Sequence, residues 1–214
     1  MDPILLTLYL LSIAYCLQRI INAFNDEFVI KLDNDLMNQQ LTAQQAQDIL
    51  DISFGFDKRY EFDKLKQFGV NVKNKSDNHS IYVDWDCCTV TDLGDRARRV
   101  TRLPPGTTLD LYQNQVFSTV APKTTLKETI TAEDILKRKG DNLEYEIASP
   151  LLDPGAMRKN TKFMKRYADL NFSFKLAVRL VGPSRHPSSE QVHVLCKFSL
   201  KKLPWTAGLP WNPK

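Results

Sequence analysis

The sequence predicts a mainly β protein, an antiparallel immunoglobulin-like sandwich preceded by an N-terminal hydrophobic helix. Three observations carry that expectation. From Leu65 onward apolar residues recur with period two, which places them on one face of a strand. Turn glycines (Gly94, Gly106, Gly140, Gly155, Gly182) punctuate these short runs, the grammar of a sandwich. Ahead of them, residues 3–17 carry no charge at all.

Composition sets the bounds. The 214 residues are 43% hydrophobic and 25% charged, enough apolar material for a real core in one large domain or a domain with appendages. A net charge of +4, from 29 basic and 25 acidic residues, is too mild to require nucleic acid or an acidic substrate. Cys16, Cys87, Cys88 and Cys196 show no disulfide-framework spacing and read as reduced, mostly core residues. A pair between Cys87 or Cys88 and Cys196 is left open.

Residues 1–24 are expected to form a hydrophobic helix and a single-pass membrane anchor. Apolar residues fall on every side of the helical wheel, unlike a surface helix. The uncharged 15 residues reach only roughly 22 Å against a hydrocarbon core of about 30 Å. Extension to Phe24 supplies the length, with Arg19 snorkelling to an interface. The competing reading is a helix buried in a soluble domain. A cleaved secretion signal is not expected, because Met1-Asp2 offers no basic n-region and no small-x-small site follows. Tyr15 is too bulky for lipoprotein processing at Cys16. Arg19 and Lys31, both C-terminal to the apolar run, favour a cytoplasmic body.

Residues 25–60 read as a linker with one short helix, Thr42 capping the run AQQAQDIL. Residues 61–203 form the sandwich. Phe68, Val70 and Val72 alternate with polar partners, and residues 74–78 turn the chain. Ile81, Val83, Trp85 and Cys87 then face a core, while Tyr82, Asp84, Asp86 and Cys88 face water or a partner. The turn Asp92-Leu93-Gly94-Asp95 leads into the basic run ARRVTRL, which Pro104-Pro105-Gly106 ends. Further strands are expected at 115–120, 126–131, 143–148, 171–181 and 191–200, with a short helical crossover at 132–139. Residues 204–214 read as an extended Trp/Pro tail.

The steps Asn74-x-Ser76, Ile81-x-Val83-Asp84-Trp85-Asp86, Asp92-x-Gly94 and Arg99-Val100 carry a resemblance. Over about residues 65–135 the chain resembles a group of uncharacterised bacterial envelope-associated proteins. In that group a hydrophobic segment or lipid anchor precedes an immunoglobulin-like sandwich, and the strand-opening step is similar to that of the late-embryogenesis-abundant type 2 sandwich. The resemblance implies fold and membrane attachment, and it implies no catalytic residues.

No motif for catalysis, cofactor or metal binding is expected to operate. Asp84, Asp86, Asp92 and Asp95 carry oxygen ligands of the kind calcium takes. Arg96, Arg98, Arg99 and Arg102 on the returning strand make a metal redundant, each cross-strand pair being worth roughly 0.2–1 kcal/mol. His79, His186 and His193 are scattered and form no metal spacing. There is no G-x-S-x-G elbow or phosphate-binding loop, and a Cys87–Cys88 nucleophile with His193 as base has nothing to bring it together.

Three surfaces stand out as partner or lipid contacts, the first being the acidic–basic hairpin of Asp84, Asp86, Asp92 and Asp95 with Arg96, Arg98, Arg99 and Arg102. The segment 157–166 holds Arg158, Lys159, Lys162, Lys165 and Arg166 with no acid, and Met157, Phe163 and Met164 interleave apolar contact. Trp205 and Trp211, in a Pro-rich end, are expected to pack back on the sandwich or dock to a partner. The sequence thus predicts a non-enzymatic, membrane-attached interaction or scaffold protein with a protein partner and no nucleic acid. The alternatives are a soluble β subunit docking into a membrane complex, or a ligand or carbohydrate-binding module using Trp85 or Trp205.

Overall fold

The computed structural model describes residues 3–104, 114–139, 145–182 and 190–209. Helix α1 (Pro3–Ala23) begins with proline in its first turn, where the missing N–H costs no hydrogen bond. It feeds directly into β1 (Glu27–Leu32). Asp33 then caps α2 (Asn34–Ala43), its carboxylate accepting the Leu36 N–H at 3.0 Å. The helix stops where Gln45 takes a left-handed φ of 53°, and the chain returns through buried Ala46 into β2 (Leu50–Gly55).

The expected linker at 25–60 is therefore part of the sheet. Phe28 of β1 is fully buried, and β1 pairs with two strands. Thr42 lies in the last turn of α2 instead of capping a helix, its hydroxyl donating to the Asn38 carbonyl.

Strand β3 (Tyr60–Glu61) and β4 (Phe68–Asn74) follow, then β5 (Ser80–Val83). Period two breaks after Val83. Asp84 accepts the Cys87 N–H at 3.3 Å, and the chain makes a 3-10 turn at Trp85–Cys87 before β6 (Thr89–Thr91). The turn flips the expected faces. Ile81, Val83 and Trp85 are buried as predicted, but Cys88 and Asp84 are buried as well and Cys87 is exposed. All four cysteines are free thiols.

The predicted tight turn links β6 to β7 (Ala97–Arg102): the Asp92 carboxylate accepts the N–H groups of Gly94 (2.9 Å) and Arg96 (3.1 Å). Strands β8 (Ser118–Val120) and β9 (Thr125–Ala132) follow. The expected helical crossover is instead a 3-10 turn at Glu133–Ile135 and strand β10 (Leu136–Arg138), paired with β11 (Tyr145–Ile147). Short helices α3 (Pro154–Lys159) and α4 (Thr161–Met164) lead to the long hairpin of β12 (Leu170–Val181) and β13 (Glu190–Lys202). The expected turns at Gly106 and Gly140 lie outside the described residues, and Gly155 sits in the first turn of α3.

The fold is mainly β and antiparallel, one curled sheet in the order β2-β4-β9-β7-β6-β12-β13-β1-β3, with β5 bridging β12 and β8. The curl brings its two wings face to face. Phe54 of β2 meets Phe198 of β13 edge-on at 4.9 Å, and Phe68 of β4 meets Phe174 of β12 at 5.9 Å. Val70, Val72, Val90, Val100, Ile130, Leu176 and Val194 are fully buried in the space between.

Helix α1 takes no part in this core. Its large apolar side chains, from Ile4 to Ile21, are each 38–67% exposed, and none of the span Pro3–Ile21 is buried.

Candidate functional site

Strand register fixes which segments meet where α1 joins the body. Phe28 pairs with Lys202 and Leu170 with Leu200, so the start of β1, the start of β12 and the end of β13 share one end of the sheet. Helices α3 and α4, which precede β12, come to that end too. Residues far apart in sequence thus surround the two residues, Phe24 and Asn25, that follow α1.

Arg158 of α3 forms an ion pair with Asp26 at 2.8 Å and lies over the Phe62 ring at 5.8 Å. The Lys202 ammonium donates to Asn25 Oδ1 (2.9 Å) and to the Leu203 carbonyl (2.8 Å), 5.6 Å from the same ring. The chain end is not an extended tail over the described residues: Trp205–Gly208 forms a 3-10 turn seated on Phe24. Gly208 lets the turn sit close, since a Cβ there would come to 3.1 Å from the Phe24 carbonyl oxygen, a tight contact.

All five predicted basic residues, Arg158, Lys159, Lys162, Lys165 and Arg166, are exposed at this end. Their apolar neighbours behave differently from expectation. Met157 and Phe163 are fully buried and Met164 is half-buried, so they hold the segment to the core instead of offering contact area. Asp153 and Asn160 cap the two short helices, accepting from Gly155 (2.7 Å) and Phe163 (3.0 Å). Trp205 is 38% exposed, and Trp211 lies outside the described residues.

Lys165 and Arg166 line an open cleft of about 430 Å³ together with Tyr167, Asp169, Lys201 and Lys202. A second cleft of about 410 Å³, lined by Asp26, Glu27, Glu61, Asp63 and Arg158, flanks Phe24. Burial pushes the Lys202 ammonium down to about 8, with Arg166 adding to the effect and Asp26 and Glu27 opposing it. Sequence reasoning missed Lys201, Lys202 and Tyr167. The signal was there for Lys202, which continues the inward alternation of Cys196, Phe198 and Leu200.

The acidic–basic hairpin is a structural network. Arg99 pairs with Asp86 (2.5 Å) and Glu133 (2.9 Å), and Asp92 lies 3.6 and 3.8 Å from Arg96 and Arg98. Asp134 takes both Arg96 and Arg98, Arg102 reaches Glu128 at 3.8 Å, and Asp84 is met by Arg179 at 3.3 Å. Among the described residues no group of three or more potential ligands is arranged to hold a metal.

The histidines stay apart. His79 Nδ1 lies 2.8 Å from Ser76 Oγ, which also accepts two backbone N–H groups in the turn, and the ring packs on Gly182. His186 lies outside the described residues. His193 is tied through its backbone to Gln44.

Trp85 is fully buried, its indole N–H donating to Ser118 Oγ at 2.9 Å with Arg102 over the ring at 5.7 Å. It offers no face to a sugar. Comparisons with protein-family models, with curated proteins and with solved structures find no match to this chain.

Proposed function

We propose that the protein is a non-enzymatic, membrane-attached interaction or scaffold module, anchored by α1 as a single span. The observation that carries this reading is the exposure of α1. Its 21 residues reach roughly 31 Å, matching a hydrocarbon core of about 30 Å. An apolar helix exposed on every side has a large unfavourable area in water and a favourable one in lipid.

The body lies on the cytoplasmic side in this reading. Arg19 and Lys31 support that side, and so do Arg158, Lys165, Arg166, Lys201 and Lys202, which the fold gathers at the same end of α1. The facing wings and antiparallel order favour an immunoglobulin-like sandwich of the kind the bacterial envelope-associated resemblance implies.

A second reading has α1 docked into a larger membrane complex, since the same bare surface fits protein as well as lipid. Carbonate extraction separates the two. The full-length chain should stay with the membrane pellet after the wash, and a chain beginning at Asn25 should be soluble and folded. A full-length chain released by carbonate but held by untreated membranes would support the docked subunit. An insoluble, unfolded truncation would show that α1 belongs to the core and sink the anchor.

A further inference from the structure

We propose that the cleft between the α4–β12 connection and the end of β13 is a phosphate site for the headgroup of an anionic lipid. Lys165, Arg166 and Lys201 supply its cationic rim and Lys202 its base. The assignment rests on the membrane reading above and gives it a specific contact.

Four observations converge on this cleft. Lys165, Arg166, Lys201 and Lys202 line it against one acid, Asp169. Among the described residues, the rim side chains of Lys165, Arg166 and Lys201 make no ion pair, whereas most arginines of the body are committed to carboxylates. The cleft also adjoins the end of α1, because Lys202 is hydrogen-bonded to Asn25, the second residue after the helix. A headgroup in the leaflet that α1 leaves is thus the nearest anion in quantity.

The fourth observation is the backbone of Arg166. It holds a left-handed φ of 61° just past α4, a position where glycine is the inexpensive choice. Its N–H donates to the Phe163 carbonyl and that of Tyr167 to the Lys162 carbonyl, both at 2.8 Å, so the helix end is closed as a capped turn. An arginine there keeps five donors at the cleft mouth, in the planar fork that matches phosphate oxygens. Tyr167, 81% exposed beside it, adds the amphipathic ring that favours a membrane–water interface.

Each basic residue near an anionic leaflet gains about fivefold in partitioning, so a cluster held against the span discriminates strongly between charged and neutral lipid. The test places the full-length chain in nanodiscs of phosphatidylcholine alone or of phosphatidylcholine doped with phosphatidylglycerol. Lysines are then labelled with a water-soluble amine reagent. Lys165 and Lys201 should label about fivefold more slowly in the anionic discs, while Lys159 and Lys162, outside the cleft, change little. Arg166→Gly suits the left-handed backbone and should fold, yet it should restore much of the labelling.

Equal protection by glycerol phosphate in neutral discs would assign the site to a soluble phosphate ester and overturn the lipid. Equal protection of Lys159 and Lys162 would reduce the effect to diffuse charge, and no protection anywhere would refute the site. Carbonate release of the chain would overturn anchor and site together, whereas a retained chain with unprotected cleft lysines would overturn the site alone.

Discussion

Lys202 occupies an inward position on β13, in step with Cys196, Phe198 and Leu200, yet it carries an ammonium and is only 3% exposed. Its hydrogen bonds to Asn25 and Leu203 soften the burial without cancelling it, and the pKa falls from 10.5 to about 8. Because the folded value lies below the unfolded one, the native state binds fewer protons between pH 8 and 10.5. Stability should therefore rise with pH across that window, the full penalty being in force below pH 8. At about 1.4 kcal/mol per pH unit, the whole effect is roughly 3 kcal/mol. Thermal unfolding of the chain beginning at Asn25, parent against Lys202→Met, should show this rise in the parent and its loss in the variant. An identical pH slope in both would mean that the ammonium is already well solvated.

At the level of elements, α2 solves a problem at the edge of β13. Strand β1 pairs with β13 only as far as Leu32 opposite Phe198, and the Asp33 N–H extends the ladder to the Lys197 carbonyl. Beyond that point two side chains replace a strand. Gln40 donates to the Leu195 carbonyl (2.9 Å) and accepts its N–H (2.8 Å). Gln44 does the same with His193, at 2.8 and 3.0 Å. Four residues of helix rise about 6 Å and two residues of strand about 6.6 Å, so the spacings agree. Gln40→Ala with Gln44→Ala should cost about 1–2 kcal/mol and expose an unpaired edge. Faster hydrogen exchange at the Leu195 and His193 amides would confirm the ladder, and unchanged exchange would refute it. The Gln-rich stretch that read as linker is thus a designed edge cover. Its composition was legible, but its partner lies about 150 residues away in the chain.

The whole molecule has an orientation. Strand β12, twelve residues and roughly 40 Å long, carries the body away from the end where α1 leaves. Cysteines report this geometry. Burial pushes the thiols of Cys88 and Cys196 up to about 12, which leaves them inert near neutral pH. Cys87 is exposed, with its thiol raised more modestly by partial burial and Asp84, and Cys16 lies within the proposed span. A membrane-impermeant maleimide at mildly alkaline pH should therefore label Cys87 in inside-out vesicles and not in right-side-out ones. Cys16 should react only after detergent is added. Labelling of Cys87 in right-side-out vesicles would place the body on the opposite side. Ready labelling of Cys16 in intact membranes would mean that α1 does not span.

The sequence by itself determined what depends on local pattern: the apolar helix, the β alternation of residues 68–74, 171–181 and 191–200, the Asp92–Asp95 turn and the acid–base pairing beside it. These features are written in residues a few positions apart, so periodicity and turn chemistry reveal them. Only the tertiary structure decided what depends on distant partners. One 3-10 turn at Trp85 exchanged the roles of Cys87 and Cys88, because a single extra turn residue reverses every later side chain of a strand. The tertiary structure also took β1 from linker to sheet and α2 from linker to the edge of β13, and it drew Lys165, Arg166, Lys201 and Lys202 to the end of α1. Lys165 and Arg166 were visible within a basic run, but their common cleft with Lys201 and Lys202 exists only because the register of β1, β12 and β13 makes neighbours of segments about 30 to 175 residues apart.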